Sequence, residues 1–315
     1  MKGGPDKCEA RGRRNGSRMV VVRIDGGLGN QLFQYAMYRY AGTVVPPETV
    51  CMDLNSFNPH QSGTVADYFP IERKQADAGT IRYFHRNGLW HALRFTDRLG
   101  LTGANYYREE DLTGRDLTEI LKQKRVYLRG YWQKSCYASA AEEILRKELD
   151  LSGALDDPAL PEAVAEKNRA LLERIESSES VAVHVRGGDY ITHAHSYGGI
   201  CTEEYYRSAV EKICGSVADP EFFLFTNDEA YLQTFRSAWE GKKVCLAEGN
   251  DEEHGQLDLY LMSRCKHHII ANSSFSYWGA WLGKHPGQNV ILPKRWDSER
   301  DSAELALPGW IRIGD

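Results

Sequence analysis

The sequence predicts a two-domain α/β protein whose second half is a doubly wound parallel sheet. Three observations carry this. The chain has 315 residues, natural for two domains of about 150 residues each. Apolar runs of strand length recur at 181–185, 222–226, 243–246, 267–271 and 289–292, separated by amphipathic helical segments near 203–214, 228–239, 255–264 and 275–283. Strands alternating with helices at this spacing argue for parallel β-α-β units. Near the start, an apolar strand runs into a glycine-rich turn and then a helix, the same unit again.

Taken in order, residues 1–18 (MKGGPDKCEARGRRNGSR) are polar and rich in Gly and Arg, without the apolar stretch of a signal peptide. They read as a disordered leader. The run Met19–Ile24 is a buried strand, broken by Gly26-Gly27-Leu28-Gly29-Asn30. From Gln31 to about Tyr40, Leu32, Phe33, Ala36 and Met37 recur with helical spacing. A short strand, Thr49–Met52, ends at Asp53, and residues 55–114 show no clean period. Another strand, Arg125–Arg129, leads into Gly130-Tyr131-Trp132-Gln133. A helical segment then ends in the charged, Ser-rich Glu176–Ser180, expected to connect the domains. The expected organisation is a leader (1–18), an N-terminal domain (19–155), a connection (156–180) and a C-terminal domain (181–315).

A net charge of −5 argues against a chain-wide surface for nucleic acid or membrane. The seven cysteines are odd in number and scattered, with no CxxC pair and no zinc-like spacing; free thiols in a reducing compartment are expected. No apolar run reaches the roughly 18–20 residues of a membrane span. The expectation is a cytoplasmic protein, with peripheral contact at the inner face of the membrane left open.

In parallel sheets, ligands bind beyond the carboxyl ends of the strands. Three strands of the second half end in suggestive groups: His184-Val185-Arg186-Gly187-Gly188-Asp189-Tyr190, Thr226-Asn227-Asp228, and Asn272-Ser273-Ser274-Phe275-Ser276 at a helix start. A guanidinium offers phosphate oxygens a planar, permanently charged fork, and a helix start adds amide donors and a favourable dipole. A carboxylate can accept paired N–H donors such as those of guanine. Together these describe a nucleotide-diphosphate pocket that needs no metal. Singly, each has a plainer reading: Arg186 as a surface ion pair, Ser273, Ser274 and Asp228 as helix caps. In the glycine-rich loop, Gly27-x-Gly29 lacks the third glycine of a dinucleotide fingerprint, yet Asp53 stands where that motif's ribose-binding acid would. A dinucleotide-dependent oxidoreductase therefore stays open at this point, as does a bare strand-to-helix turn.

Three long motifs occur together: Gly26-Gly-Leu-Gly-Asn-Gln-Leu-Phe-Gln-Tyr-Ala36, His184-Val-Arg-Gly-Gly-Asp-Tyr190 and Ala271-Asn-Ser-Ser-Phe-Ser-Tyr-Trp-Gly-Ala-Trp-Leu282. With Leu128–Gln133, Leu259–Lys266 and Pro293-Lys294 in support, the sequence from Met19 onward closely resembles the alpha-1,2-fucosyltransferases of glycosyltransferase family 11. The resemblance implies a GT-B architecture, two Rossmann-like domains facing a crevice, the N-terminal one on the acceptor side and the C-terminal one holding the donor GDP-fucose, with an oligosaccharide (a beta-galactoside) as acceptor; no DxD triad occurs, and neither cofactor nor metal is expected. It implies that Arg186 binds the diphosphate, His184 and Asp228 face guanine, and Ser273, Ser274 and Phe275 line the phosphates. Gly29 and Asn30 would approach from the N-terminal domain. No base for the acceptor hydroxyl declares itself; Asp189 is a candidate, Asp25 a poorer one. The sequence departs from the family pattern at Gly187, where a second Arg is usual, at Tyr277, where Trp is usual, and at Asp25, where Lys is common. Transfer with another linkage or acceptor, and a non-catalytic sugar-nucleotide-binding module, are the other readings.

Overall fold

The structure, a computed structural model, describes residues 7–8, 18–54, 63–88, 105–188, 195–248, 250 and 254–314. The chain divides into two compact units, Met1–Leu149 and Asp150–Asp315. Each is α/β, and among the described residues each carries a six-stranded sheet in which every pairing is parallel.

The first unit contains β1 (Lys7–Cys8), β2 (Met19–Arg23), β3 (Val50–Asp53), β4 (Gln75–Ala76), β5 (Asn105–Arg108) and β6 (Arg125–Arg129), in the order β1-β4-β3-β2-β6-β5. Val20, Val21 and Val22 of the central β2 are fully buried, as expected of a parallel strand covered on both faces. The helix expected from Gln31 to Tyr40 is longer, Leu28–Val44, and starts inside the glycine-rich loop. The leader is not wholly without structure: Lys7–Cys8 pairs with Gln75–Ala76 at the sheet edge. An edge strand offers unpaired N–H and C=O groups, so an extended segment can join it without apolar side chains.

The second unit contains β7 (Glu179–Val185), β8 (Pro220–Thr226), β9 (Lys243–Leu246), β10 (His267–Ile269), β11 (Val290–Pro293) and β12 (Ile311–Ile313), in the order β12-β11-β10-β7-β8-β9. Counted within the unit this is the 3-2-1-4-5-6 order of doubly wound nucleotide-binding folds. Residue alternation along β7 assigns its two faces. Val181, Val183 and Val185 pack with the helix Glu203–Cys214 and with Phe235 and Trp239. Ala182 packs with Ile175, Leu261 and Met262, from the helices Glu162–Glu176 and Gly255–Arg264. The helix Glu162–Glu176, in the segment expected to link the domains, thus forms part of the second unit's core. Among the described residues, no helix is long and apolar enough to cross a membrane.

Candidate functional site

The strand order reverses between β7 and β10, and the crevice outside the carboxyl ends at such a point is where open α/β sheets bind ligands. The registers place the three polar segments there side by side. Val183 is level with Ile269 of β10, and Val185 with Thr226 of β8. The loop Arg186–Gly188, the turn Thr226–Asp228 and the start of the helix Ser274–Leu282 therefore leave one sheet edge together. His184, Arg186, Asp228, Ser273, Ser274 and Phe275 all belong to this edge. Asp189 lies outside the described residues.

His184 is buried on the same face of the sheet as Phe275, their ring centroids 5.8 Å apart. Burial, with the Arg186 charge adding to it, pushes its pKa down to about 3, so the ring is neutral at physiological pH. Its Nδ1 is buried without a hydrogen-bond partner. Ser273 caps the helix Ser274–Leu282 without a side-chain cap bond, and the first turn holds no acidic residue. By contrast, the first turns of Glu162–Glu176 and Glu203–Cys214 carry Glu162, and Glu203 with Glu204. Those carboxylates occupy the positive ends of their own helices. The helix at Ser273 has neither a side-chain cap nor a carboxylate on its first N–H groups, an arrangement that suits an anion.

Asp228 serves the chain itself. Oδ1 accepts from Tyr231 N at 2.9 Å, capping the helix Glu229–Leu232, and Oδ2 accepts from Gly188 N at 3.4 Å. Asn227 Oδ1 accepts from Gly187 N at 2.9 Å. The absence of a side chain at 187 has a steric cause: a Cβ there would lie 2.6 Å from Asp228 Cβ and 2.9 Å from its Oδ2. Where the family pattern places a second Arg, this chain packs Asp228 against the backbone. Asn272 is likewise engaged. Its Nδ2 donates to Tyr197 O and Trp296 O, both at 3.1 Å, and its Oδ1 lies 3.4 Å from the Cys201 thiol. Tyr197 and Trp296 adjoin in sequence Ser196, Gly198 and Arg295, which with Lys294 and Ser298 among others line a cavity of about 770 Å³.

In the first unit the strand order reverses between β2 and β6, and the glycine-rich loop follows β2. Gly26 takes φ +88, a left-handed conformation, and two buried glutamines brace the turn. Gln31 Nε2 donates to Gly26 O and Gly63 O at 2.8 and 3.0 Å, while its Oε1 accepts from Val65 N at 2.7 Å. Gln34 Oε1 accepts from Asp25 N at 2.7 Å, and Nε2 donates to Asp25 Oδ1 and Gly130 O, both at 3.1 Å. Gly29 is buried. Asn30 Oδ1 accepts from Gln133 Nε2 at 2.9 Å. Asp53 is fully buried and accepts from Tyr127 Oη at 2.6 Å. It braces the sheet rather than reaching for a ribose, which removes the support for the dinucleotide reading. The adjacent histidines 267 and 268 are structural too: His268 Nε2 lies 2.8 Å from Met262 O, and His267 Nδ1 accepts from Asn289 N at 3.1 Å. Among the described residues, no group of three or more His, Cys, Asp or Glu side chains is disposed to hold a metal.

Sequence reasoning missed the glutamine braces and Glu109, whose Oε2 accepts from Tyr131 N and Trp132 N. A signal for the former exists: Gln31 and Gln34 flank Leu32 and Phe33 in a helix buried nearly all round, where a polar side chain needs a hydrogen-bonding partner. For Glu109, which opens the short 3-10 helix Glu109–Leu112 in a stretch without periodicity, there was none.

Two parallel Rossmann-like sheets are the architecture of the GT-B fold class. The profile of Glycosyl transferase family 11 matches residues 16–314, and the chain belongs to that family. It is 29% identical to an alpha-1,2-colitosyltransferase of Escherichia coli over 303 residues, covering 94% of this chain and 99% of that protein. It is 28% identical to the galactoside alpha-(1,2)-fucosyltransferase 2 of Bos taurus over 142 residues, covering 43% and 41% respectively. Among solved structures, the fucosyltransferase NodZ from Bradyrhizobium superposes with a TM-score of 0.52 at 17% identity, covering 84% of this chain and 92% of that one.

Proposed function

We propose that the chain is an inverting alpha-1,2-fucosyltransferase that moves L-fucose from GDP-fucose to the 2-hydroxyl of a beta-galactoside, without a metal. One observation carries the reading: Arg186 and the uncapped, acid-free start of the helix Ser274–Leu282 share the reversal point of the second sheet. As the acceptor oxygen bonds to C1 of fucose, the bond from C1 to the β-phosphate oxygen breaks and its electron pair leaves with GDP. The acceptor proton is lost to a base or water. An oxocarbenium-like transition state puts negative charge on the departing diphosphate. Arg186 and the amides at 273–276 would meet it in place, and the buried, neutral His184 would offer a polar edge to the base. The bovine relative's name supports the linkage and acceptor.

The test is thermal stabilisation in EDTA followed by an assay of GDP release with lactose. GDP at 100 times its dissociation constant should stabilise the protein by about 2.7 kcal/mol, and UDP far less. Arg186→Lys keeps the charge but loses the bidentate fork, so turnover should fall about 100-fold. Equal stabilisation by UDP, an absolute need for manganese, or more than half the activity in Arg186→Lys would each defeat the proposal. One second reading has specific support in the colitosyl relative: a donor carrying colitose, a 3-deoxy analogue of fucose. Competition between GDP-fucose and GDP-colitose decides between them.

A further inference from the structure

The reversal point of the first sheet also carries a built pocket. A cavity of about 340 Å³ lies at the carboxyl ends of β2, β5 and β6, lined by Asp25, Arg108, Glu109, Glu110, Arg129, Gly130 and Tyr131. That size falls within the range of small-molecule sites, about 300–1,000 Å³. Tyr131 is 45% exposed, the most exposed large apolar side chain among the described residues. Its edge approaches the loop after β2, so that a Cβ on Gly26 would stand 3.5 Å from Tyr131 Cε1.

The loop that presents this ring is held in an unusual shape. Trp132 is buried with φ +55, left-handed for a bulky non-glycine residue, and its indole Nε1 is buried without a partner. Such conformations persist where the surroundings over-determine them, and they cluster at ligand sites. Here Glu109 does the determining: Oε2 accepts from both Tyr131 N and Trp132 N, at 2.9 and 2.8 Å. Gly130 makes room, since a Cβ there would lie 2.5 Å from Glu109 Cβ. The other carboxylate oxygen of Glu109 receives no hydrogen bond from a described residue.

We propose that this pocket binds a pyranose ring of the acceptor glycan, with Tyr131 as the stacking surface and Glu109 Oε1 as acceptor for a sugar hydroxyl. A galactoside has one face of C–H groups that suits an aromatic ring, and a rim of hydroxyls that suits carboxylate and guanidinium groups. The pocket supplies both kinds of contact: the tyrosine, and Asp25, Glu109 and Arg129 around it. The assignment rests on the glycosyl-transfer reading for the word "acceptor", but the pocket's affinity for a sugar can be read without transfer.

The experiment uses the full chain in two readouts. Saturation-transfer NMR with methyl beta-galactoside, without donor, should show binding in the wild type and lose it in Tyr131→Ala. In the transfer assay, Tyr131→Ala should raise the acceptor KM about tenfold or more, while calorimetric GDP affinity changes less than about twofold. Tyr131→Trp, which restores a ring, should recover the acceptor KM to within about threefold of wild type. Glu109→Gln keeps the shape of the side chain and should also raise the acceptor KM. Sugar binding or an acceptor KM unaffected by Tyr131→Ala would overturn the proposal, as would failure of Tyr131→Trp to recover. Tyr131-dependent sugar binding in a protein that transfers nothing would uphold the pocket and overturn the transferase reading instead.

Discussion

Gly187→Ala tests the packing that sets this chain apart from its family pattern. The added methyl carbon would lie 2.6 Å from Asp228 Cβ, about 1 Å inside the separation at which carbon atoms attract. Asp228 cannot simply swing away, because its two oxygens accept from Tyr231 N and Gly188 N. Overpacking of this kind costs about 1–3 kcal/mol, and loss of the Asp228 cap adds about 1. Against this, alanine restricts the unfolded chain, a gain of about 0.4–1 kcal/mol. The net expectation is a destabilisation of about 1–3 kcal/mol, a fall in Tm of roughly 3–10 °C for a unit of this size. Asp228→Gly removes the opposing carbon and, as a capping residue, glycine costs only a few tenths of a kcal/mol more than Asp. In that background Gly187→Ala should be nearly neutral. Urea unfolding of the four proteins gives the coupling energy. Equal losses in both backgrounds, or a Gly187→Ala protein as stable as wild type, would refute the steric account.

Two further outcomes follow from buried groups. Gln34→Leu fills the same space but strands Asp25 N–H and Gly130 O, so unfolding free energy should drop by about 2–4 kcal/mol, measured by urea denaturation. His184 and His268 are buried with pKa values pushed down to about 3, whereas an unfolded histidine titrates near 6.5. Between those values the unfolded chain binds more protons, so stability should fall as pH drops below 6.5. Asp258 opposes this, since burial raises its pKa to about 6 and its contribution grows on acidification. With two histidines against one carboxyl, Tm should decline from pH 6.5 to 4.5, and less steeply in His268→Gln.

The second unit was legible in the sequence because its central strands are near-continuous apolar runs and its helices keep a clear period. The helices Glu203–Cys214 and Gly255–Arg264 fall where the pattern placed them. The first unit hid three strands, among them Lys7–Cys8 in the polar leader. Gln75–Ala76 is two residues long, and Asn105–Arg108 lies half-buried at the sheet edge with polar ends, so neither produces a period. Within the site, the convergence at the sheet edge followed from the topology. The binding of Asp228 to its own loop did not, because a cap and a ligand contact ask for the same residue type. The pocket around Tyr131 was hidden for a different reason: it depends on one carboxylate, 22 residues upstream, reaching two backbone amides.

The strand order also bears on how the second unit is made on the ribosome. Its first strand, β7, is central and pairs with both β8 and β10. The chain leaves the ribosome from its N-terminal end. β7 therefore waits for some eighty residues of chain before its second edge is covered. β11 and β12 then extend the sheet on the far side of β10. The three segments of the candidate site are thus in hand once the helix Ser274–Leu282 has emerged, and the last strands extend the sheet beyond them. A nascent chain arrested with that helix just outside the tunnel should already protect β7 from hydrogen exchange, whereas one arrested before β10 should not.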